Sequence, residues 1–357
     1  MGTKTDTGLK IVTVAACSED RPRSDSASTI ELDDGRLLIA YHGYLGGPQA
    51  GEDFGHAVIF IRESRDGGLS WGDERMVVDN QIGDHNVMQP SLFKISGELL
   101  MGYARHHGPE NSSMEILRST DDGASFGEPD FVWSRCGERR FSTFNCFVPL
   151  KDGRVLMPVQ CGTEIFKPND HWRVTCYISE DRCRTWQRQA GVIDLPMRGA
   201  MEPSVAQLDD GELICSLRTQ LGSVFIARSD DCGHSWNTPQ PSGLTAPEAC
   251  TSLAMLPGTQ RLVLFWNGAS YVYPHHHFGP RTPLSVAVSD DRGHTWRRLG
   301  DIETEPRHEF TNLSCTFLRD GRAALSYMSG PETPDGNFNR TRLELRCALI
   351  SRAFLES

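Results

Sequence analysis

Three observations predict the fold class, an all-β chain wound into a six-bladed β-propeller. The phrase Ser-x-Asp-x-Gly-x-Ser/Thr-Trp recurs from Ser64, Ser119, Ser179, Ser229 and Ser289, at intervals of 50 to 60 residues that suit one four-stranded unit per repeat. A strand–turn–strand pattern recurs six times, out of phase with those boxes. The composition, with 34 glycines, 20 prolines and 38% hydrophobic residues, suits many short strands joined by turns.

The hairpins run in order over Ser28–Tyr41, Pro90–Arg105, Asn145–Gln160, Pro203–Arg218, Thr251–Asn267 and Ser314–Met328. Five of them turn on a glycine preceded by a polar residue (Gly35, Gly97, Gly153, Gly211 and Gly321), and the fifth copy turns on Pro257-Gly258-Thr259. Within each box the aspartate can accept from backbone N–H groups of its own turn. The glycine supplies a conformation other residues resist, and the aromatic ring plugs the turn onto the blade core. Two box positions depart from the phrase, Phe126 for tryptophan and Cys183 for glycine. The sixth hairpin has no box after it and is followed by Arg342–Ile350. Residues 9–16 are the leftover strand expected to close the ring on that last blade, giving one domain over 1–357.

Composition excludes several classes. A net charge of −11 argues against nucleic-acid binding, which needs a basic face. No apolar run of about 18 residues predicts a membrane span, and the opening residues 1–6 lack the apolar core of a secretory signal. The 11 cysteines include no Cys-x-x-Cys, and many sit inside expected strands as core filler. A reducing, cytoplasmic location is expected, with an exported form whose leader has been trimmed as the alternative, and no metal or cofactor is expected.

In a propeller the innermost strands line a funnel, so the ends of the six hairpins are where chemistry can sit. Leading ends carry Asp25, Gln89, Asn145, Glu202, Glu248 and Asn312. Trailing ends carry His42, Arg105-His106-His107, Gln160, Arg218, Trp266-Asn267 and Tyr327. Ends so rich in ionisable groups are costly to bury unpaired and mark candidate sites.

The boxes on a six-bladed propeller resemble the sialidase superfamily over nearly the whole chain. Finer matches are Glu202 and Arg218 at the two ends of the fourth hairpin, Arg281 in Gly279-Pro280-Arg281-Thr282-Pro283, and Glu52-Asp53 after the first hairpin. The resemblance implies arginines that clamp a substrate carboxylate through bidentate pairing. It also implies an acid at Asp53 and a Glu202-polarised tyrosine nucleophile, the exception among glycosidases. Two family positions differ: the first-blade arginine aligns on Asp25, with Arg23 and Arg21 nearby, and the tyrosine aligns on Asn312. Tyr271 or Tyr273 could replace it only from a loop.

Histidines are the other feature of the strand ends and rim loops: His42, His85, His106, His107, His275, His276, His277 and His308. Imidazole suits acid–base work near neutral pH. His85 and His106 bracket the second hairpin, an arrangement similar to propeller-type ulvan lyases, with Arg105, Arg23 and His42 as further candidate contacts. The consecutive trio His275–His277 alternates direction in an extended segment, which argues against a shared metal. The expected function is therefore a sialidase-like glycoside hydrolase on an anionic carbohydrate, sialic-acid-like or uronate-bearing. The open alternatives are a uronate lyase using His85 or His106 as base, and a non-catalytic glycan-binding propeller. Trp133, Trp172 and Trp266 are the aromatics available for stacking on a sugar.

Overall fold

A computed structural model describes residues 8–357 apart from 48–50, 54, 109–110, 137–138, 142–145, 163–170, 273–278, 335, 337 and 338. Six antiparallel sheets carry all the strands. Blade 1 is β2 (Arg23–Glu31), β3 (Leu37–Tyr44), β4 (Ala57–Ser64) and β5 (Arg75–Val78). Blade 2 is β6 (Asn86–Ile95), β7 (Glu98–Gly108), β8 (Asn111–Ser119) and β9 (Asp130–Cys136). In blade 3 the inner edge is split between β10 (Arg139–Phe141) and β11 (Val148–Pro149), both on β12 (Val155–Gly162), followed by β13 (Arg173–Ser179) and β14 (Gln187–Ile193). Blade 4 is β15 (Met201–Gln207), β16 (Leu213–Arg218), β17 (Ser223–Ser229) and β18 (Gln240–Thr245). Blade 5 is β19 (Ser252–Met255), β20 (Leu262–Asn267), β21 (Leu284–Ser289) and β22 (Arg297–Glu303). Blade 6 is β23 (His308–Phe317), β24 (Ala323–Pro331) and β25 (Glu344–Ile350), with β1 (Lys10–Ala15) as its outermost strand, Val12 opposite Cys347. The short helix α1 (Arg352–Glu356) follows β25.

The core lies between blades rather than at a single centre, as sheet-on-sheet packing requires. Phe265 and Val286 of blade 5 share a cluster with Phe310 and Leu325 of blade 6, and Leu38 and Ile59 of blade 1 share one with Leu92 and Met101 of blade 2. Inner strands are also stitched directly. The Ser28 hydroxyl accepts from the Leu92 N–H (2.9 Å), Ser91 from Cys146 (3.0 Å), Ser204 from Leu253 (2.9 Å) and Ser252 from Cys315 (3.0 Å). Across the seam between blades 6 and 1, Thr316 Oγ1 donates to the Thr29 carbonyl at 2.7 Å.

Each box joins the third strand of its blade to the fourth, at the end of the blade away from the start of the inner strand. In the first, Ser64 Oγ accepts from the Gly68 N–H at 2.9 Å, while Asp66 accepts from the Ser70 N–H at 2.9 Å and its hydroxyl at 2.5 Å. Gly123 shows why glycine is needed: its φ is +85° and a Cβ there would stand 2.6 Å from Leu38 of the preceding blade. Cys183 holds the same left-handed turn, φ +65°, in the third box. No disulfide links the described cysteines, and no described helix is long and apolar enough to cross a membrane.

The boxes make stability depend on acid titration. The Ser70 hydroxyl, then the Ser70 and Ser64 groups, hold Asp66 down at about 2, and Ser125 does the same for Asp121. A carboxyl whose pKa is depressed by folding contributes above its unfolded pKa, about 3.9, and loses that contribution as pH falls through the folded value. The denaturant midpoint is therefore expected to hold down to about pH 4 and to drop between there and pH 2. Asp231→Ala should lower the midpoint at pH 5 and shrink the later drop. An unchanged midpoint in that variant would remove the box carboxylates from the account of stability.

Candidate functional site

Four inner strands slip register at the same step, two residues against one. In β2, Ser26 and Ala27 face Tyr41; in β6, Gln89 and Pro90 face Tyr103; in β15, Glu202 and Pro203 face Leu217; in β23, Asn312 and Leu313 face Tyr327. The first residue of each bulge is left-handed without being glycine: Ser26 φ +46°, Gln89 +57°, Glu202 +42° and Asn312 +57°. Side chains are held in such conformations only when their surroundings over-determine them, and bulges re-aim side chains next to sites. All four line one pocket of about 180 Å³. The tyrosines opposite the bulges turn away from it: Tyr41 hydrogen-bonds Glu74, Tyr103 hydrogen-bonds Glu115, and Tyr327 donates to Glu303 at 2.8 Å.

One pole of the pocket lies on blades 4 and 5. The Glu202 backbone N–H donates to Gln160 Oε1 (2.7 Å), and its carboxylate accepts from Arg218 Nη1 (2.9 Å). Arg218 Nη2 reaches buried Glu248 (3.2 Å), which also pairs with Arg198 and accepts from Gln220 Nε2 (3.0 Å). Burial opposes the charge on Arg218, but Glu202 and Glu248 outweigh it and raise its pKa. Arg281 is less well served. Among the described residues its one ion pair is with Glu309 at 3.8 Å, its Nη2 donates to the Glu248 carbonyl at 3.3 Å, and its Nε has no hydrogen-bond partner. Burial and the Arg218 charge pull its pKa below the ordinary value against Glu309. The loop carrying Arg198 is tied to blade 3, where Trp172 N–H donates to the Arg198 carbonyl (2.9 Å) and the Ala200 N–H donates back to Trp172 (3.1 Å).

The other pole lies on blades 1 and 6. Arg23 donates to Asp25 at 2.9 and 2.5 Å and to Asp53 at 2.8 Å, with its guanidinium 4.7 Å over the Tyr44 ring. Arg340 reaches the same Asp53 oxygen at 2.8 Å and Glu52 at 3.3 Å. Burial would raise the Asp53 pKa, but the two guanidiniums hold it well below the usual carboxylate range. Asn312 donates to Asp25 and, at 3.3 Å, to Ser26, linking blade 6 to blade 1.

The structure thus brings Glu202, Asp53, Arg218, Arg281 and Arg23 to one pocket together with the hairpin-end residues Gln89 and Gln160 and the aromatic Trp172, and adds Arg198 and Arg340. Arg198 and Arg340 lie on connections outside the hairpins, so hairpin-end reasoning did not reach them. The phrases Gln89-Pro90-Ser91 and Glu202-Pro203-Ser204 carry the same bulge in blades 2 and 4.

Other expectations need correction. Arg105, His85 and His106 do not line the pocket. Arg105 is locked inside blade 2 by Glu115 (2.9 Å) and Asp84 (3.1 Å), and His107 joins Asp84 at 2.6 Å. His106 is fully buried, and its carbonyl accepts from the His85 N–H at 2.8 Å. His42 lies behind the pocket: its Nδ1 accepts from the Gln89 N–H at 3.3 Å, and burial pulls its pKa down to about 4, so it is neutral at pH 7. Trp133 and Trp266 pack in blade cores. Tyr271 does not line the pocket, while Tyr273, His275–His277 and Asn145 fall outside the described residues. Among the described residues no cluster of three His, Cys, Asp or Glu could hold a metal ion.

A family model described as a BNR repeat-like domain matches residues 25–338. The chain belongs to the BNR repeat-like domain family. This BNR repeat-like chain is 24% identical to a sialidase of Micromonospora viridifaciens, over 88% of its own length and 51% of the sialidase, so it spans about half of that relative. Among solved structures it is similar to a Trypanosoma rangeli sialidase in complex with sialic acid, at TM-score 0.73 and 13% identity over 98% of this chain and 60% of that one. It is also similar to a Penicillium chrysogenum α-L-arabinanase complexed with arabinobiose, at TM-score 0.69 and 15% identity over 94% and 97% of the two chains. Such identities establish the sialidase-like propeller fold, a scaffold that carries more than one chemistry.

The correction to blade 2 can be checked. Arg105→Met leaves the buried Asp84 and Glu115 carboxylates without their guanidinium and is expected to cost about 3–5 kcal/mol of stability. Ligand binding at the pocket should persist in the variant under conditions where it remains folded. Lost binding at unchanged stability would return Arg105 to the site.

Proposed function

We propose that this BNR repeat-like propeller is a glycoside hydrolase acting on a sugar that bears a carboxylate. One observation supports the reading above the others: the guanidiniums of Arg218 and Arg281 come from neighbouring blades to one pocket beside Glu202, and among the described residues Arg281 is paired only with Glu309, 3.8 Å away. In a chain of net charge −11, two buried cations within range of each other are best satisfied by an anionic ligand.

The substrate carboxylate would bridge Arg218 and Arg281, leaving the anomeric carbon toward Glu202. No tyrosine lines the pocket among the described residues. Glu202 would then act without a tyrosine relay, as the base for an attacking water or as the nucleophile itself. The glycosidic C–O bond breaks and the leaving oxygen takes a proton. Asp53 is the candidate donor, but with Arg23 and Arg340 both on it, it is ionised in the empty pocket. Binding must first draw Arg340, partly exposed and shared with Glu52, off Asp53 before the acid can be loaded. A lyase would need a base beside the sugar ring, and no described histidine lines the pocket.

The test uses 4-methylumbelliferyl glycosides of N-acetylneuraminic, glucuronic and galacturonic acids. Glu202→Gln is expected to abolish release of the fluorophore while retaining binding. Arg218→Lys should weaken carboxylate recognition by about 2–5 kcal/mol, since an ammonium makes no bidentate pair. Absence of turnover with all three substrates, or an unsaturated product absorbing in the ultraviolet, would overturn the hydrolase reading. Arg340→Ala tests the acid. A donor works below its pKa, so raising that of Asp53 should move the alkaline limb of kcat/KM to higher pH; an unmoved limb would exclude Asp53 as the donor.

A further inference from the structure

We propose that the axis of the propeller is a water channel that delivers the attacking water to Glu202 from beneath the bound sugar, so that hydrolysis inverts the anomeric centre. The proposal rests on the hydrolase reading and commits that site to one nucleophile.

A second cavity, of about 230 Å³, adjoins the sugar pocket, and Glu202 is the one described residue that lines both. It follows β15 from Glu202 to Gln207, about 16 Å of strand at about 3.3 Å per residue. Blade 5 lines it from Cys250 to Met255. At the far end Gln207 and Met255 are half-buried and Pro149 is exposed, so the cavity opens on the face that carries the boxes. β15, β19 and β23 each end their sheet and pair on one side only. Their free edges turn backbone N–H and C=O groups toward the axis, where those groups need partners. Serines supply some of them: Ser204 accepts from Leu253 and Ser252 from Cys315. Water is the natural partner for the rest. One water needs only about 10–15 Å³ of such space, so a column of several fits.

A sugar seated in the pocket of about 180 Å³ shuts Glu202 off from bulk solvent on that side. Its aglycone can extend only through the mouth, where the side chains of Asp53 and Arg340 are 32% and 28% exposed against 13% for Glu202. Leaving group and channel water then stand on opposite faces of the anomeric carbon. Arg218 holds Glu202 through Oε2 at 2.9 Å, which leaves the other oxygen to receive a proton. The water oxygen bonds to the anomeric carbon as the glycosidic C–O bond breaks. That bond's electron pair leaves on the aglycone oxygen, which is protonated by the acid, while the water gives its proton to Glu202. Attack opposite the leaving group inverts the centre. Asn312, at the same bulge step in blade 6, is engaged with Asp25 and offers no competing nucleophile.

Two measurements on the full chain test this. Proton NMR during turnover of the 4-methylumbelliferyl glycosides reads the first anomer formed, before mutarotation, and the inverted anomer is expected. Ala254→Leu in blade 5 and Val205→Phe in blade 4 narrow the channel at residues that do not line the sugar pocket. Each should lower kcat about tenfold while the calorimetric Kd of the free sugar acid stays within about twofold. The acid limb of kcat against pH should stay where it is in the wild type, whereas bulk that merely disturbed Glu202 would move it. Thermal melts identify which variants are folded, and the NMR result on the wild type stands whether or not they are. Retention of configuration, a folded plug variant with kcat within about twofold of wild type, or a moved acid limb overturns the channel and leaves the hydrolase reading intact. Absence of turnover by the wild type with every sugar acid rejects the hydrolase reading, and the channel's role with it.

Discussion

The two-against-one slip at the start of the inner strand is the constraint on which this molecule depends. A regular strand would send alternate side chains into the blade faces. The slip turns one residue per blade toward the axis instead, and it does so at the same step in blades 1, 2, 4 and 6. Glycine is the residue that would fit this backbone most easily, yet serine, glutamine, glutamate and asparagine occupy it. The serine two positions later holds the slip open: Ser28, Ser91 and Ser204 each accept an N–H of the following blade, so the bulge cannot relax without parting two blades. Local strain is thus maintained by ring closure, which no isolated blade could supply.

Electrostatics then decides what the projected groups can do. Guanidiniums this deeply placed are costly unless carboxylates accompany them. Arg23 has Asp25 and Asp53, and Arg218 has Glu202 and Glu248. The same pairing keeps Asp25, Asp53 and Glu248 ionised, and makes Asp53 an acid only after its ion pairs rearrange. Blade 2 shows the other use of the same chemistry. Arg105, Asp84, Glu115 and His107 neutralise one another out of reach of the pocket and hold a blade together.

Fold stability and recognition are separated along the blade. The boxes, with their serine and aspartate hydrogen bonds, join third to fourth strands at the end opposite the bulges, so the turns that brace the ring lie apart from the pocket. A sialidase and an arabinanase lie at TM-scores of 0.73 and 0.69 to this chain, one fold hosting different chemistries.

What the sequence determined by itself was everything set by short-range pattern. Alternation, Asp-Gly turns and the box phrase act within a few residues, so six hairpins and five boxes were legible. So were Glu202 and Arg218, because one hairpin brings its own two ends together, and Met201 pairs with Arg218 in the ladder. The histidines at strand ends misled because polarity shows in a sequence while burial and partners do not: His106 is enclosed in blade 2 and His42 lies behind Gln89. Only the tertiary structure decided which ends meet. Asn312 and Asp25 are 287 residues apart and hydrogen-bonded. Arg198 and Arg340 enter from connections that carry no repeat. These depend on closing the ring, a long-range event that places residues by the rotation of whole blades and leaves no periodic trace in the chain.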